Sequence, residues 1–195
     1  MSDFKPIMIK NAVTKYNNAA VPTVFNSSLG RSEDCTVTAP NAAWSVSFTL
    51  DDKNRDALEQ AARAHFNDVK ATDKRIGSYG GIHSMRKQDD GSVMYTARKK
   101  CMTAKGKQNP EPKIVDGGKF PVENRDFWGG TTINLMVTLL PTNSPASGEW
   151  GISILLDAIQ VVEPVYGSDE REDFGVISDQ NVTAASEFDD EIPFG

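Results

Sequence analysis

The sequence predicts a mainly β domain, built as a small antiparallel barrel with one inserted α-helix and followed by an acidic tail. Three observations lead to this prediction. Apolar and polar residues alternate strictly over residues 43–50, apolar residues recur at helical spacing over residues 54–69, and two strongly apolar segments lie within residues 131–162. A period of two is typical of a half-buried strand, and a spacing of three and four is typical of an amphipathic helix.

The first half of the chain contains one clear strand. Over residues 43–50, Trp44, Val46, Phe48 and Leu50 occupy one face while serine and threonine occupy the other. A short strand is also predicted over residues 7–12. The stretch from there to residue 34 is rich in Asn, Ser and Pro, and we expect it to be mostly loop and edge strand.

A single helix of four or five turns is predicted over residues 54–69. Asp51 and Asp52 supply its start, because carboxylates accept hydrogen bonds from the unpaired N–H groups of a first turn and favour the positive end of the helix dipole. Its apolar stripe includes His65, for which we expect a packed structural role rather than a metal-binding one.

The two apolar segments, residues 131–140 and 150–162, are predicted to pair as antiparallel strands. The loop between them, PTNSPASGE, is rich in Pro, Ser and Gly and is typical of a hairpin connection. Gly129, Gly130 and Gly151 lie at the strand starts, where a small residue permits the bulges or sharp bends of a closing barrel.

Positive charge is concentrated in the middle of the chain. Residues 70–119 contain twelve basic and five acidic residues, a net charge of +7. We expect a strand over residues 93–103, entered by the turn formers Asp89, Asp90 and Gly91, and then a flexible basic loop over residues 104–112. A second tight turn is predicted at Asp116 and the two glycines after it.

Negative charge is concentrated at the end of the chain. From Glu163 onward there are ten acidic residues and one basic residue, a net charge of −9, although the whole chain carries only −6. Residues 1–162 therefore carry +3, and the acidic end hides a mildly basic body. Repelling carboxylates beside a proline cannot continue a packed element, so we predict a folded domain over residues 1–164 and a flexible tail over residues 165–195.

Several classes of protein are disfavoured. No stretch approaches the roughly 18 apolar residues of a membrane span, and the start of the chain does not resemble an export signal, so we expect a soluble cytoplasmic protein. Cys35 and Cys101 are too few for a disulfide framework and have no metal-ligand spacing with the two histidines, although a single disulfide stays open. No phosphate-binding loop or nucleophile motif is present. An enzyme is therefore disfavoured.

The middle region is typical of a surface that binds single-stranded nucleic acid. Phosphates require cations, and exposed bases stack on flat side chains. The candidate DNA-binding residues are Tyr79, His83, Arg86, Lys87, Tyr95, Arg98, Lys99, Lys100, Lys105, Lys107, Lys113 and Trp128. Cations in such a run can equally form an ordinary solvated surface, and aromatic residues in strands can equally belong to the core. Strand alternation adds a limit, because Arg98 and Lys100 must lie on the opposite face from Tyr95 and Lys99.

The tail and the body together resemble the single-stranded DNA-binding proteins of phages and bacteria. DDEIPF at residues 189–194 is similar to the bacterial tail signature, except that Gly195 follows Phe194. WSVSFTLD (44–51), PVENRDFWGG (121–130) and WGISILLDAIQVVEP (150–164) resemble the phage branch. The resemblance implies a five-stranded OB-fold barrel that binds the strand and a tail that recruits replication proteins. The recruiting residues would be Asp189, Asp190, Glu191, Ile192, Pro193 and Phe194.

The function predicted is binding of single-stranded DNA without sequence preference during phage replication or recombination, in the host cytoplasm and without a cofactor. A strand-annealing recombination mediator, a virion structural protein and a nuclease are the alternatives left open. The tail could also fold back on the basic surface as a competitor of DNA. The sequence leaves the oligomeric state open, and a homodimer is one state that it allows.

Overall fold

One antiparallel ladder runs through five long strands, which lie side by side in the spatial order Val93–Lys100 (β6), Ala43–Thr49 (β3), Lys5–Asn26 (β1), Thr132–Asn143 (β8) and Trp150–Glu163 (β9). The computed structural model describes residues 4–122, 125–144 and 148–166. In chain order, the elements are β1 (Lys5–Asn26), β2 (Arg31–Asp34), β3 (Ala43–Thr49), α1 (Asp52–Thr72), β4 (Tyr79–Ile82), β5 (Met85–Lys87), β6 (Val93–Lys100), β7 (Lys113–Val115), β8 (Thr132–Asn143) and β9 (Trp150–Glu163). The predicted fold class, a mainly β barrel of five antiparallel strands with one helix, is confirmed.

The segment from β4 to β5 closes most of the gap between the two ends of the ladder. β4 pairs parallel with β9, and β5 pairs antiparallel with β6. Between them, the His83 N–H donates to the Ile152 carbonyl (3.0 Å) and the Thr96 N–H donates to the Ser84 carbonyl (3.2 Å). Gly151 is required here, because a Cβ atom would meet the Gly81 carbonyl oxygen and lie 2.9 Å from His83 Cε1.

Alternating apolar residues of the long strands fill the interior of the barrel. Val46 and Phe48 of β3, Leu135 and Leu139 of β8 and Leu156 of β9 are all fully buried. Each such side chain contributes about 1.5–3 kcal/mol by leaving water. The predicted strand over residues 43–50 and the predicted antiparallel pairing of the two apolar segments are both confirmed, the latter by an extended register between β8 and β9.

Helix α1 begins where its acidic residues predicted. Asp51 is the N-cap, and its Oδ1 accepts from the Asn54 N–H at 2.7 Å. The helix extends one turn beyond the predicted end, to Thr72, and then the Asp73 N–H donates back to the Val69 carbonyl (2.9 Å). His65 is buried on the apolar stripe of the helix, which confirms its predicted packed position.

The first strand is much longer than predicted. The prediction of a strand over residues 7–12 followed mostly by loop is wrong, because β1 spans 22 residues and pairs with β8, β3 and β2 in turn. Three register shifts interrupt its ladders, and Asn11 adopts a left-handed conformation (φ 53°). Such bulges re-aim a strand and break its simple alternation, so its pattern did not resemble one strand. β2, which pairs only with β1, is an edge strand as expected.

The basic middle region forms a strand, a hairpin turn and a short edge strand. β6 ends at Lys100, three residues before the predicted end, and an isolated bridge then joins Met102 to Gln108. The predicted turn after Asp116 is confirmed by the Lys119 N–H, which donates to the Asp116 carbonyl (3.0 Å).

The end of the folded body is held by Val165. The Trp128 N–H donates to the Val165 carbonyl (2.7 Å), and the Val165 N–H donates to Thr131 Oγ1 (2.8 Å). The predicted division into residues 1–164 and 165–195 stays a prediction, because the tail from residue 167 onward lies outside the described residues.

Candidate nucleic-acid interface

The outer surface of β3 and β6 consists of small hydroxyl side chains flanked by cations. Because Val46 and Phe48 point inward, Ser45 and Ser47 point outward, and they pair with Arg98 and Thr96 of β6. The hydroxyl groups of Ser47 and Thr96 lie 2.9 Å apart and hydrogen-bond each other. We define the β3–β6 face as the outward residues Tyr16, Asn18, Ser45, Ser47, Thr49, Arg86, Met94, Thr96, Arg98 and Lys100.

Three of the predicted cations lie together on the β3–β6 face. Arg98 and Lys100 are exposed outward residues of β6, and Arg86 of β5 pairs with Met94 in the same outward row. None of the three forms an ion pair with any carboxylate of the described residues. Arg98 is oriented by a hydrogen bond from its Nη2 to the Asn41 carbonyl (2.9 Å). Their charges are therefore available to an anionic ligand.

Tyr16 adds an exposed aromatic ring that the sequence analysis missed. It pairs with Ser47, and 64% of its surface is exposed. The neighbouring residue, Lys15, lies within a bulge of β1. Hydrogen bonds from Ser92 and, to a smaller degree, the charge of Lys15 hold the pKa of the Asp90 carboxyl below its usual range. Tyr16 was missed because this part of the chain was predicted to be loop, which has no faces to assign.

Trp128 lies beside the bulge that carries Tyr16. The Gly130 N–H donates to the Thr14 carbonyl (2.8 Å), and a Cβ atom on Gly129 would lie 3.1 Å from the Lys15 carbonyl oxygen. More than half of the Trp128 surface is exposed, whereas the preceding Phe127 is buried and anchors the segment. The structure therefore places the two glycines that follow Trp128 against the bulge that precedes Tyr16.

Asn17 holds the Trp128 segment against β1. Its Nδ2 donates to the carbonyls of Arg125 (3.1 Å) and Phe127 (3.2 Å). Its Oδ1 accepts from the Ala19 N–H at 3.1 Å, so the amide is oriented from both ends. The two accepting carbonyls belong to the residues before and after Asp126, so these hydrogen bonds fix the backbone immediately before Trp128.

Tyr95 belongs to the core, so we remove it from the candidate DNA-binding residues. Its ring is fully buried and packs against Phe48, with centroids 6.0 Å apart, while its hydroxyl donates to Glu59 Oε1 (2.8 Å). Burial, reinforced by Glu59, raises the pKa of Tyr95 well above its ordinary value. A ring with no open face cannot stack on a base. Tyr95 lies in the predicted strand, but its side chain faces the interior instead of the predicted DNA-binding surface.

Tyr79 is engaged between α1 and β4, away from the β3–β6 face. Its ring lies 5.1 Å from the ring of Phe66, and the Arg63 guanidinium lies 5.0 Å from its centroid. Partial burial raises the pKa of its hydroxyl. These contacts are typical of an aromatic residue that packs a helix onto a sheet.

The remaining candidates are divided among other surfaces. Lys99 and Lys87 pair with Trp44 and Val93, on the inward row, which confirms the predicted separation of Lys99 from Arg98 and Lys100. Lys105 and Lys107 lie in the turn beyond β6, and Lys113 lies on β7 beside β9. His83 Nε2 is 3.0 Å from the Thr142 carbonyl oxygen. The tail residues 189–194 lie outside the described residues.

Two kinds of feature are absent from the described part of the chain. Within residues 4–166, apart from the undescribed gaps, no helix is long and apolar enough to cross a membrane. Over these residues, no group of three or more acidic, histidine or cysteine side chains is placed to hold a metal ion.

The fold is that of phage single-stranded DNA-binding proteins. No family model and no curated protein sequence matches the chain. Among solved structures, gp2.5 of bacteriophage T7, a single-stranded DNA-binding protein, is similar with a TM-score of 0.58 at 15% identity, over 85% of this chain and 96% of that one. The single-stranded DNA-binding protein of bacteriophage Enc34 in complex with single-stranded DNA is similar with a TM-score of 0.57 at 10% identity, over 81% and 86%. The fold implied by the sequence resemblance is thus confirmed.

Proposed function

We propose that this chain binds single-stranded DNA without sequence preference along the β3–β6 face, during phage DNA replication or recombination. The observation that carries the proposal is the combination of unpaired Arg86, Arg98 and Lys100 with the exposed ring of Tyr16 on one hydroxyl-lined sheet. Cations neutralise phosphates, and an exposed ring stacks on any base for about 1–3 kcal/mol. Serine and threonine hydroxyls leave room for the strand and donate hydrogen bonds to it.

The position of the face within the barrel supports the same function. OB-fold barrels bind oligonucleotides on their second and third strands, and here these are β3 and β6. The similarity to a phage protein solved with single-stranded DNA adds support from a second direction. Trp128 extends the stacking surface beyond Tyr16, since its segment lies against the same part of β1.

The acidic tail is proposed to act in two ways. Ile192 and Phe194 would insert in an apolar pocket of a replication or recombination protein, with Asp189, Asp190 and Glu191 meeting basic residues around it. The tail would also compete with DNA for the β3–β6 face, because the net charge of −8 over residues 165–195 is opposite in sign to the cations there. DNA binding would then release the tail for its protein partners.

The remaining parts of the proposal concern location and assembly. We infer that the protein works in the cytoplasm of the infected host, where phage DNA is replicated, and that it needs no cofactor and catalyses no reaction. The oligomeric state stays open, and a homodimer is one state that the sequence allows.

The central experiment is a fluorescence-anisotropy titration of a labelled oligo-dT and of the matching duplex. The full chain is compared with a chain that ends at Tyr166, because Val165 still hydrogen-bonds Trp128 and Thr131. We expect binding to the single strand alone, falling steeply as salt rises through counterion release. The shortened chain should bind more tightly at low salt. No binding by either chain would overturn the proposal and favour a virion structural protein.

Three further measurements separate the parts of the proposal. Removal of residues 186–195 alone tests competition, and unchanged affinity at low salt would refute it. An annealing assay with complementary strands distinguishes a recombination mediator from a protein that only coats DNA. Cleavage of DNA on addition of magnesium or manganese would reveal a nuclease instead.

A further inference from the structure

A cavity of about 360 Å³ lies at one end of the β3–β6 face, where β6 ends and β3 begins. We call it the β6-end pocket. One wall is the segment before β3, which contributes Asn41. The other wall is the turn after β6, which contributes Met102, Thr103 and Ala104. Lys100, an outward residue of the β3–β6 face, also lines the cavity, so the pocket continues the proposed DNA-binding surface.

Backbone hydrogen bonds fix both walls of the β6-end pocket. In the turn after β6, the Thr103 N–H donates to the Lys107 carbonyl (2.8 Å). In the opposite wall, the Ala42 N–H donates to the Ala39 carbonyl (3.1 Å). The Cys101 N–H donates to the Ala42 carbonyl (2.9 Å) and joins the two walls. The cavity is therefore formed before a ligand enters, as is usual for small-ligand sites.

The side chains of the pocket suit a nucleobase. Met102 and Ala104 offer apolar contacts, and a flexible methionine thioether adapts to rings of different shape. The Asn41 amide can both donate and accept, and Thr103 Oγ1, which accepts from the Lys107 N–H (3.0 Å), still has a proton to donate. The volume is near the lower end of the roughly 300–1,000 Å³ that small-ligand pockets span, which suits one base with its sugar.

Three cations belong to the elements that line the pocket. Lys100 ends β6, and Lys105 and Lys107 lie in the turn that follows it. All three side chains are exposed, and none forms an ion pair with a carboxylate of the residues that the structure describes. Phosphates on either side of an inserted base would therefore meet uncompensated positive charge.

We propose that the β6-end pocket holds one base of the bound single strand, turned out of its stack, while Lys100, Lys105 and Lys107 contact the adjacent phosphates. This inference rests on the proposed DNA-binding function. A base on the β3–β6 face stacks on an open ring such as Tyr16, whereas a base in the pocket is enclosed, so the pocket fixes one end of the strand. Turning a base out costs least in a single strand, which has no pairing to lose.

The test measures coupling between the pocket and single positions of a short oligo-dT, at the shortest length that keeps full affinity for the full chain. One nucleotide at a time is made abasic, and each oligonucleotide is titrated by anisotropy against the wild type and against Ala104→Leu, which narrows the pocket. We expect one position, near one end, where the abasic change weakens wild-type binding about five-fold or more. In Ala104→Leu the same change should cost less than about two-fold, because the base contact is already lost.

Ala71→Leu is the matched control, because it enlarges an exposed alanine on α1. It should show the same abasic profile as the wild type. Asn41→Gly acts on the opposite wall, in case Ala104→Leu disturbs the turn. Asn41 has a left-handed backbone (φ 61°), which glycine adopts freely, so this variant removes the amide and keeps the shape of the wall. It should reduce the cost of the abasic change at the same position.

The lysines are tested by the salt dependence of binding. Lys105→Gln and Lys107→Gln should each make it shallower by about 0.7 units, the value for one phosphate contact on a single strand, whereas Lys74→Gln, in the exposed turn after α1, should not. If oligo-dT binds but no position couples to either wall of the pocket, the inference fails while the proposed function stands. If oligo-dT does not bind at all, both fail together.

Discussion

The two outer faces of this barrel offer opposite chemistry on the same backbone. On the β3–β6 face the outward positions of the strands hold mainly serine, threonine, arginine and lysine. The outward positions around β8, which we call the β8 face, hold Met8, Met136 and Leu140 beside Asn134 and Thr138. Both faces lie on antiparallel strands with the same alternation, and both cover the same core. The difference therefore comes from the outward side chains alone. The outward rows of one barrel therefore need not share one chemistry: one row here is rich in hydroxyl groups and cations, and the other includes exposed apolar side chains.

β1 takes part in both faces and explains how one strand supplies two surfaces. Its first half pairs with β8 and contributes Met8, and its second half pairs with β3 and contributes Tyr16. Register shifts lie between Ile9 and Ala12 and between Thr14 and Tyr16. Bulges of this kind turn a strand, so the outward row changes its neighbours along the chain.

Arg98→Glu should cause the largest loss of DNA affinity among the substitutions on the β3–β6 face. It removes an unpaired cation from the β3–β6 face and adds a repelling charge, so we expect a loss of about 2–3 kcal/mol, roughly 30- to 150-fold in oligo-dT affinity. The salt dependence of binding should also become shallower by about one unit or more. Anisotropy titrations at several salt concentrations measure both quantities.

Lys113→Glu is the matched control, because it makes the same change of charge on β7. We expect less than about a three-fold effect there, since exposed charges that are far from the ligand are screened by salt. Equal losses in the two variants would mean that the whole field of the body, rather than the β3–β6 face, attracts DNA.

Tyr16→Ala should have the next largest effect. Loss of one stacking platform costs about 1–3 kcal/mol per base, and Tyr16→Phe should retain most of the affinity because it keeps the ring. Phe120→Ala is the control, because Phe120 is 69% exposed but follows β7 rather than lying on the β3–β6 face. If the Phe120 and Tyr16 variants bind equally well, Tyr16 is not a stacking residue.

Much of the fold was predictable because several segments follow a single simple period. β3 and α1 each keep one period over their whole length, and β8 and β9 are strongly apolar although their pairing has two register shifts. The positions of all four were predicted to within a few residues. β1 was not, since its bulges interrupt the alternation, and its asparagine residues at 17 and 18 are typical of loops when they are considered without their neighbours. The pairing of β1 with three other strands is tertiary information.

The candidate site was predictable only in part: three of the eight predicted cations lie on the β3–β6 face, and Trp128 was among the predicted aromatic residues whereas Tyr16 was not. Alternation separated Arg98 and Lys100 from Lys99 correctly, because period two fixes which residues share a face. It does not say which face is the interior. Tyr95 and Tyr16 show the consequence, since the first is core and the second is exposed, and only the register of β3 between β1 and β6 distinguishes them.

Asn17→Ala should loosen the segment before Trp128 without changing any charge on the β3–β6 face. It removes two hydrogen bonds that hold the segment before Trp128, each worth about 0.5–1.5 kcal/mol, so we expect a three- to ten-fold loss in oligo-dT affinity, on the order of 1 kcal/mol. Quenching of Trp128 fluorescence by DNA should decrease, measured in a variant that lacks Trp150.

Asn143→Ala is the matched control for Asn17. Asn143 Nδ2 likewise donates to a backbone carbonyl, that of Gly148 (3.0 Å), but it holds the turn between β8 and β9. The control should lose stability without losing DNA affinity. A similar loss of affinity in both would show that Asn17 contributes to the fold rather than to the placement of Trp128.

Tyr95→Phe should have the smallest effect on binding, because its ring is core and its row faces inward. Loss of the hydrogen bond to Glu59 should lower the free energy of unfolding by about 1–2 kcal/mol while oligo-dT affinity changes less than about two-fold. The wild-type chain should also lose stability as the pH rises above 10.0, the ordinary pKa of tyrosine.

The sign of that alkaline effect follows from the direction of the shift. Burial raises the pKa of Tyr95, so below its ordinary value the neutral hydroxyl stabilises the fold fully. Above that value the unfolded chain releases the proton first and gains stability relative to the folded one. Tyr95→Phe has no such proton, and its unfolding should depend less on pH in this range. If it instead weakened DNA binding several-fold at neutral pH, the division between an aromatic core and an aromatic surface on β1, β3 and β6 would be wrong.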